Sequence, residues 1–574
     1  MIDHLQIMSV LGVEIGTVNT RAFLFDVVED NYRLIASAIA PSTYLEPAFD
    51  VGDGIYEVVT RLEEVTGRVF FDHAANLMMP SQPNGEGIDA FVVTTSCVPD
   101  LNIVIFGLLN EVSLESGRKL AYSTYARLIE AIGINDRRPL NIQLDAVLAA
   151  KPDILVFTGG TEGGANRSMA RISELIVSAL QLMPRERRPQ VLYCGNSSLA
   201  GKLQKSIDRF TAVRVAPNIR PSLDREILEP AMEQLGALTM EKVFEKVSGL
   251  QRISALCSVP PRLSNQSFHR VIRFLGQQYD PAKGVLGLDV GASYTVVSFA
   301  GLQSSVLNTF NYGLGEGIAA LLERTKIQDI TRWLSEPISD EDARDYLWQR
   351  SLYPQNIART TEELALELAA VRKILRLAMF DLNTRLTLPS DRFEPIVISG
   401  SALNRTVTPV QSLLTILDGI QPLGICPLIL DKHGVIPILG AIAEFNPLLA
   451  VQVLESTAFA NLATVVTIDS KARYGVPVLN ARLNYSDGSY LDVEIEQGSI
   501  ISLPLAQGMS AELEVHMLRR GAIEEFAITR EPVKVRGGVC GLVLDARGRP
   551  VKLPAQNDVR RARLKEWETL LGAK

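Results

Sequence analysis

The sequence has few of the residues that bind transition metals or form disulfide bonds. Its 574 residues include only five cysteines and five histidines. The cysteines stand far apart, at positions 97, 194, 257, 426 and 540, and no CxxC or HExxH motif occurs. Zinc and iron–sulfur sites normally need closely spaced ligands of these types. We therefore expect reduced thiols in a cytoplasmic protein, without a metal–thiolate centre.

The sequence also lacks an excess of basic residues, an export signal and an apolar segment long enough to span a membrane. Its net charge of −8 is unlike that of nucleic-acid-binding proteins. Asp3 and His4 precede only a short apolar run, so no signal peptide is predicted. The most apolar stretch, residues 434–468, is interrupted by polar residues such as Glu444, whereas a membrane helix needs about 20 mostly apolar residues. We expect a soluble protein with no nucleic-acid partner and leave a homo-oligomer open.

Two segments with similar amino-acid sequences lie 275 positions apart. Residues 10–20 read VLGVEIGTVNT, and residues 285–295 read VLGLDVGASYT. Each has an apolar run, a carboxylate, a glycine and a threonine, and alternating apolar residues after it predict a returning strand. One such hairpin is an ordinary feature of a buried sheet. The pair predicts two similar half-domains that face one nucleotide.

A tight glycine turn between two strands suits phosphate binding, because backbone N–H groups are exposed and glycine allows close approach. The candidate phosphate-binding residues are Gly16, Thr17, Asn19 and Thr20 in the first hairpin and Gly291, Ala292, Ser293 and Thr295 in the second. The preceding carboxylates, Glu14 and Asp289, are the candidate catalytic residues and Mg²⁺ ligands, usually through water. This pattern resembles the actin, Hsp70 and sugar-kinase superfamily.

Between the hairpins the sequence predicts a long helix over residues 111–132 and then a small parallel α/β unit. Residues 151–164 read KPDILVFTGGTEGG, an apolar strand that runs into a glycine loop before a helix. Such a loop can bind an anion, which makes Gly159, Gly160, Thr161 and Gly163 candidate cofactor-binding residues. Tight backbone turns explain the same glycines equally well. No GxxxxGK[ST] P-loop occurs, and we expect the loop beside the next strand end, residues 195–197.

Three sequence segments in this region narrow the resemblance to one family. They read TTSCVPDLNIVIFGLLNEVSLESGRKLA, DILVFTGGTEGG and VAPNIRPSL. They resemble the MutL-type glutamate mutase accessory family, in which a similar glycine loop lies between two phosphate hairpins. The similarity runs in order from about residue 10 to about residue 450. It implies an ATP-dependent chaperone that reactivates an adenosylcobalamin-dependent mutase.

Two later segments fit the second half of that superfamily. Residues 394–405 read EPIVISGSALNR, which predicts a strand, a glycine and a helix start. By resemblance this is an adenosine motif, with Ser399, Gly400, Ser401 and Asn404 as the candidates. Residues 434–443, GVIPILGAIA, predict a helix of small residues at the hinge.

From about Thr464, alternating runs such as YLDVEIE and AELEVHML predict a small antiparallel β domain. Its DARGRP turn at residues 545–550 is expected to be a solvated loop. The predicted fold is thus α/β: a duplicated actin-like, ribonuclease H-like ATPase fold with an inserted parallel α/β unit and a C-terminal antiparallel β domain. The predicted domains are 1–140 and 284–460 for the actin-like halves, 141–283 for the insert, and 461–574 for the β domain with its terminal helix.

Two departures from the superfamily pattern bear on catalysis. Glu14 stands where aspartate is usual, and Mg²⁺ demands near-ideal octahedral geometry. In the second hairpin, Val296 stands where a second carboxylate is usual. Fewer acidic groups predict weak metal binding and slow hydrolysis. We expect ATP or ADP binding with Mg²⁺ and leave open whether the chain is a weak ATPase.

Three functions remain in competition. The preferred one is an ATP-binding reactivating factor for an adenosylcobalamin-dependent mutase, with Asp26 and Glu162 as speculative residues for orienting the attacking water. The second is a non-catalytic actin-like scaffold, a pseudo-ATPase, which the altered carboxylates favour. The third is a small-molecule kinase, which needs an aspartate base near the second hairpin, and Val296 argues against it.

Overall fold

The computed structural model describes residues 8–302, 304–385, 392–519, 521–522 and 531–572. The chain divides into two compact units, each with a hydrophobic core of its own. The first unit contains the residues up to Phe25, Ile35–Ser267 and Leu307–Thr309. The second contains Asp26–Leu34, Phe268–Val306 and the chain from Phe310 onward.

The elements of the first unit follow one another in chain order, although residues 26–28 of β2 and 31–34 of β3 group with the second unit. They are β1 (Val10–Ile15), β2 (Asn19–Val28), β3 (Asn31–Pro41), α1 (Val51–Thr66), β4 (Ala90–Thr95), β5 (Asn102–Phe106), a π-helical turn (Asn110–Leu114), α2 (Glu115–Tyr122), β6 (Arg127–Ile132), α3 (Leu140–Ala150), β7 (Ile154–Phe157), α4 (Asn166–Leu182), a short helical turn (Arg185–Arg187), β8 (Gln190–Tyr193), another (Ser197–Leu199), α5 (Ala200–Ile207), β9 (Val213–Val215), α6 (Glu229–Lys246), α7 (Leu250–Ser254) and β10 (Arg262–Leu263). α8 (Ser264–Gln278) then leads into the second unit.

The first sheet of this unit has the strand order β10-β4-β1-β2-β3. β1 pairs antiparallel with β2 and parallel with β4, and β4 pairs parallel with β10. Every residue of β1 and β4 is buried, as their continuous apolar runs predict for central strands covered on both faces.

The second sheet of the first unit is wholly parallel, in the order β6-β5-β7-β8-β9. It confirms the inserted parallel α/β unit, and it also includes β5 and β6, which precede the predicted start of the insert at residue 141. The single helix predicted over residues 111–132 is wrong, because α2 ends at Tyr122 and β6 follows it. The Ser123 and Thr124 hydroxyls donate to the carbonyls of Leu120 and Ala121, which ends the helix.

The second unit contains the remaining elements. They are β11 (Val285–Val290), β12 (Thr295–Ala300), β13 (Ser305–Phe310), α9 (Ile318–Arg324), α10 (Gln328–Thr331), α11 (Asp340–Leu352), α12 (Thr361–Arg385), β14 (Ile396–Gly400), a short helical turn (Leu403–Arg405), α13 (Pro409–Ile420), β15 (Gly424–Asp431), α14 (Ile436–Ile442), α15 (Pro447–Leu454), β16 (Phe459–Thr467), β17 (Asp469–Ser470), β18 (Pro477–Tyr485), β19 (Tyr490–Glu496), β20 (Ile500–Leu503), β21 (Ser510–Met517), β22 (Gly521–Ala522), β23 (Val533–Arg536), β24 (Leu542–Asp545) and α16 (Asn557–Leu570).

The main sheet of the second unit repeats the first sheet. Its order is β13-β12-β11-β14-β15-β16-β24-β20. β11 pairs antiparallel with β12 and parallel with β14, and β14 pairs parallel with β15. The first five strands therefore have the order and pairing directions of β3-β2-β1-β4-β10. This repetition confirms the duplicated actin-like, ribonuclease H-like fold.

The C-terminal region is an antiparallel sheet in the order β19-β18-β21-β23, as the alternating runs predict. Along β18 and β21, buried residues alternate with exposed ones, and the buried faces form a core with Val466, Ile468 and Leu544. The main sheet continues through β16, β24 and β20 into this region. The domain boundary predicted at residue 460 falls inside β16.

The DARGRP turn is not the solvated loop that its basic side chains suggested. The Arg547 side chain is fully buried and lies in ion pairs with Asp545 at 3.0 Å and Asp418 at 2.7 Å. Arg549 also contacts Asp545 at 3.0 Å. In the part of the chain that the structure describes, no helix is both long enough and apolar enough to cross a membrane.

Candidate functional site

The second hairpin has the geometry that its sequence predicts. Asp289 lies opposite Val296 in the β11–β12 pair, one position before the strand ends. The Gly291 N–H donates to the Tyr294 carbonyl at 2.9 Å and closes the turn. The Asp289 side chain is half-buried. Water can therefore reach the carboxylate, as a water-mediated Mg²⁺ contact requires.

A glycine-rich segment after β13 holds this turn in place. The segment, residues 311–317, reads NYGLGEG. The Leu314 N–H donates to the Gly291 carbonyl at 2.9 Å, and the Gly317 N–H donates to the Ala292 carbonyl at 3.0 Å. A Cβ atom on Gly317 would lie 2.5 Å from the Ser293 carbonyl oxygen, so only glycine fits. Sequence reasoning missed this segment, although glycine at every second position was a readable signal of close backbone approach.

The two hydroxyl groups predicted to contact phosphate also have partners inside the protein. Ser293 Oγ donates to the Glu316 carboxylate at 2.7 Å, and Thr295 Oγ1 donates to the Tyr312 carbonyl at 2.7 Å. Thr295 is fully buried. These bonds fix the turn and engage both hydroxyl hydrogens inside the protein.

Three polar side chains end three neighbouring parallel strands. In the β11–β14 register, Asp289 lies beside Ser399, and in the β14–β15 register, Ser399 lies beside Asp431. The carboxyl ends of parallel strands are where α/β proteins place their ligands. The structure therefore brings the hairpin carboxylate and the predicted adenosine motif to one edge of one sheet.

Asp431 is the residue at this edge that sequence reasoning missed. Its carboxylate is fully buried and accepts backbone N–H groups from His433, Gly434 and Ile436, at 3.2, 2.8 and 3.0 Å. Burial raises the pKa of Asp431, and these N–H groups act in the opposite direction. The bonds set the entry to α14, which is the small-residue helix predicted at residues 434–443.

The other predicted adenosine residues surround this edge. Asn404 Nδ2 donates to the Asp431 carbonyl at 3.0 Å, so its amide supports the strand end. Ser401 is exposed, and Gly400 is the last residue of β14. A Cβ atom on Gly400 would lie 3.3 Å from the Val290 carbonyl oxygen, a close approach to the hairpin strand.

The first hairpin differs from the second at its carboxylate. Glu14 lies opposite Arg21 in the β1–β2 register, and Glu14 Oε2 is 3.0 Å from Arg21 Nη1. The Glu14 side chain is only 7% exposed, and Arg21 already compensates the charge of this nearly buried carboxylate. The turn itself is tight, because a Cβ atom on Gly16 would lie 2.7 Å from the Asn19 carbonyl oxygen.

The glycine loop after β7 is bound to the neighbouring strand end, as predicted from the parallel order. The Asn196 N–H donates to the Gly159 carbonyl at 3.1 Å, and Asn196 Nδ2 donates to the Gly164 carbonyl at 2.8 Å. Asn218 Nδ2 donates to the Gly160 carbonyl at 2.9 Å. Gly159, Gly160 and Gly163 all have positive φ values, which favour glycine in this turn.

Glu162 occupies the centre of this loop. Its carboxylate accepts from the Ser197 hydroxyl and from Asn218 Nδ2, and these hydrogen bonds lower its pKa. A charged carboxylate held in place disfavours a second anion. The loop geometry thus supports a structural role more than phosphate binding. Asp26, the other speculative water-orienting residue, accepts the Val27 N–H at 2.8 Å.

Comparison with known proteins identifies the family of this chain. A family model described as MutL protein matches residues 10–458. The chain belongs to the MutL protein family. Protein MutL of Clostridium tetanomorphum is 21% identical over 207 residues, which are 35% of this chain and 43% of that relative. The alignment therefore spans less than half of the relative's length.

Solved structures similar to this MutL-family chain include a diol dehydratase-reactivating factor in nucleotide-free form, at 9% identity over 77% of this chain and 100% of the other, with a TM-score of 0.30. Xylulose kinase from Bifidobacterium adolescentis matches at 11% identity over 79% of this chain and 94% of the other, with a TM-score of 0.27. At these scores the similarities add nothing to the topology described above.

The predicted site residues of this MutL-family chain fall into three places. The first unit contains the first hairpin (Glu14, Gly16, Thr17, Asn19, Thr20) and the glycine loop (Gly159, Gly160, Thr161, Gly163). The second unit contains Asp289, Gly291, Ala292, Ser293, Thr295, Gly400, Ser401 and Asn404. Among the described residues, no three His, Cys, Asp or Glu side chains converge as a ready-made metal site.

Proposed function

We propose that this chain is an ATP-binding, actin-like accessory protein that reactivates an adenosylcobalamin-dependent mutase. The observation that carries the proposal is the shared edge of Asp289, Ser399 and Asp431 beside a glycine turn. Membership in the MutL family supports the accessory role. We assign the nucleotide to the second unit, because the turn, the carboxylate and the adenosine motif all belong to it.

Each part of this edge has a distinct task in the proposal. The Gly291–Tyr294 turn presents backbone N–H groups to phosphate oxygens, and the 311–317 segment keeps the turn rigid. Asp289 would hold Mg²⁺ through water, and a Mg²⁺ ion held there would supply positive charge against the phosphates. Ser399 and Gly400 leave space for the ribose and base. Asp431 orders the chain that enters α14 and so acts as a positioning residue.

The first hairpin limits the chemistry that we propose. Arg21 already neutralises Glu14, so only Asp289 is left as a strong candidate for holding the metal. Single-carboxylate coordination fits tight nucleotide binding with slow hydrolysis. The same ion pair favours a second function, an actin-like scaffold that binds nucleotide without turnover. Val296 gives no base for the third alternative, a small-molecule kinase.

Calorimetric titration of Mg·ATP into the full chain tests the proposed site. We expect binding that Asp289→Ala weakens by at least about tenfold, the usual cost of a lost charged contact. Asp469→Ala, which removes a half-buried carboxylate in β17 of the same unit, serves as the matched control. Equal binding by the parent and Asp289→Ala would refute the assignment of the nucleotide to this edge.

Two further measurements separate the candidate functions. Phosphate release distinguishes slow hydrolysis from binding alone, and Arg21→Gln tests whether the ion pair suppresses hydrolysis. An adenosylcobalamin-dependent mutase that has been inactivated by turnover should regain activity with this chain and Mg·ATP, and should not do so with Asp289→Ala. Nucleotide binding without any recovery would favour the scaffold over the reactivating factor.

A further inference from the structure

A pocket lies in the second unit, away from the edge just described. It is a cavity of about 450 Å³ between α12, the residues that follow α10, the end of α13 and residues 550–553. α13 ends at Ile420, and β15 begins at Gly424, so the pocket lies where the parallel strand starts. Asp431 stands at the opposite end of the same strand. The two sites are therefore separate. The volume is within the range of small-molecule sites.

The pocket is lined with more positive than negative side chains. Its cations are Arg332, Arg372, Lys373, Arg376 and Lys552, and its carboxylates are Asp329 and Asp418. Both carboxylates are already engaged. Asp329 lies 3.0 Å from Lys373, and Asp418 lies 2.9 Å from Arg372 and 2.7 Å from Arg547.

Three of the cations remain exposed and available. Arg332, Arg376 and Lys552 are exposed, and within the described part of the chain no carboxylate forms an ion pair with any of them. Arg376 follows Arg372 by one turn of α12, so two like charges face the same side of the helix. Partial burial and the charge of Arg549 lower the pKa of the Arg376 guanidinium. The repulsion between like charges held together in this way decreases when an anion binds among them.

The rest of the lining favours an anion that also has an organic part. Trp333 lies with its ring centroid 5.9 Å from the Arg372 guanidinium carbon, and Val551 and Leu553 complete an apolar wall. The planar guanidinium group of arginine binds two phosphate oxygens at once through paired N–H donors. A phosphate group would fit among the cations of the pocket, and a flat apolar group would fit against Trp333 and the apolar wall.

We propose that this pocket binds a small phosphate-bearing anion of two or more negative charges, independently of the nucleotide site. Inorganic pyrophosphate is the simplest probe of that class. Arg376 is the main contact, because it lines the pocket one helical turn after Arg372, is influenced by the Arg549 charge, and has no carboxylate partner in the described part of the chain. The proposal does not depend on ATP binding at Asp289.

Calorimetry and thermal unfolding of the full chain with pyrophosphate, without Mg²⁺ and at constant ionic strength, test the proposal. We expect saturable binding and a rise in Tm for the parent. Arg376→Gln should weaken binding by at least about tenfold, as expected for a lost charge-assisted bond. Arg344→Gln, which alters an exposed arginine of α11, should bind like the parent. Without ligand, Arg376→Gln should melt no lower than the parent, since the change removes repulsion.

Two results would overturn the proposal. One is unchanged pyrophosphate binding in Arg376→Gln. The other is that Arg344→Gln weakens binding as much as Arg376→Gln does, because the anion would then be attracted by the general positive charge of the surface. Asp289→Ala separates the two sites, because it should lose Mg·ATP and keep pyrophosphate. If Asp289→Ala loses pyrophosphate as well, the anion was bound at the hairpin. A nucleoside monophosphate tested in the Asp289→Ala background shows whether the organic part adds affinity through Trp333.

Discussion

Replacing Arg547 with methionine should destabilise the second unit strongly, although the side chain lies far from the proposed nucleotide edge. Arg547 is fully buried and makes two contacts with Asp545, at 3.0 Å each, and one with Asp418 at 2.7 Å. Its guanidinium carbon also lies 4.7 Å from the Trp567 ring centroid. Methionine fills much of the same volume and carries no charge. The substitution therefore tests the ion pairs more than the packing.

The size of the expected stability loss depends on the ion pairs that Asp545 and Asp418 retain. Removing one partner of a buried ion pair typically costs about 3–5 kcal/mol, because the remaining charge is left uncompensated. Here Asp545 keeps Arg549 at 3.0 Å, and Asp418 keeps Arg372 at 2.9 Å. The remaining pairs place the expected loss near the lower end of that range, about 3 kcal/mol.

Urea unfolding of the full chain measures this loss, with Arg482→Met as the matched control. Arg482 also pairs with an aspartate, Asp492, at 2.7 Å, but both side chains are about half exposed. Surface pairs of this kind contribute about 0–1 kcal/mol. If Arg547→Met costs no more than Arg482→Met, the buried network does not stabilise the unit and the reasoning fails.

The pH dependence gives a second check. Burial alone would raise the pKa of Asp545, but Arg547 and Arg549 hold it well below its usual range. A carboxylate with a depressed folded-state pKa contributes stability above its unfolded pKa of about 4 and loses it as the pH falls further. The difference between the parent and Arg547→Met should therefore be largest near neutral pH and shrink below about pH 4.

Three further predictions concern the second unit. Gly317→Ala places a Cβ atom 2.3 Å from the Gly313 nitrogen. It should lower the free energy of unfolding by about 1–3 kcal/mol and weaken Mg·ATP binding. The control Gly201→Ala, whose new atom meets nothing within 4 Å, should have neither effect. Asp431→Ala leaves three backbone N–H groups without their acceptor and should lower the unfolding free energy by about 3 kcal/mol or more; a loss under about 1 kcal/mol would contradict its positioning role. Burial and nearby arginines lower the pKa of His269 to about 3, so stability should fall by up to about 1.4 kcal/mol per unit as pH drops below about 6.5. His269→Gln should remove that slope, and an unchanged slope would refute the assignment.

The duplicated fold could be predicted because its signal is local and occurs twice. Each hairpin is a buried apolar run, a glycine turn and a returning strand, and those properties are fixed by neighbouring residues in the sequence. The strand orders then follow from the usual pairing of consecutive and parallel strands. The alternating C-terminal runs were equally readable, because period-two burial is a property of single strands.

The features that were missed depend on strand register, on strand order and on contacts made by the fold. Arg21 neutralises Glu14 only because the hairpin register places them opposite each other. Asp431 reaches the edge beside Ser399 through the order of β14 and β15. Arg547 looked solvated because its turn is polar, and only the fold brings Asp418 to it.

The prediction of one helix over residues 111–132 failed for a local reason that periodicity does not detect. The apolar spacing continues through the region, but consecutive hydroxyl residues at Ser123 and Thr124 cap the backbone and end α2. The residues of β6 then pair with β5 at the edge of the parallel sheet. Sheet pairing overrides the helical pattern here, since β6 obtains its backbone ladder from β5 and tertiary context outweighs local propensity.

The eight-stranded sheet of the second unit constrains how the chain can be divided into fragments for expression. β16 follows the actin-like strands, and β24 and β20 complete the sheet from residues that come later in the chain. A fragment that ended near residue 460 would expose the full length of β15, where Leu428 and Leu430 are buried in the whole chain. Uncovered strand edges of this kind recruit other chains. Fragments of the second unit should therefore stay soluble only when they keep the chain through β24.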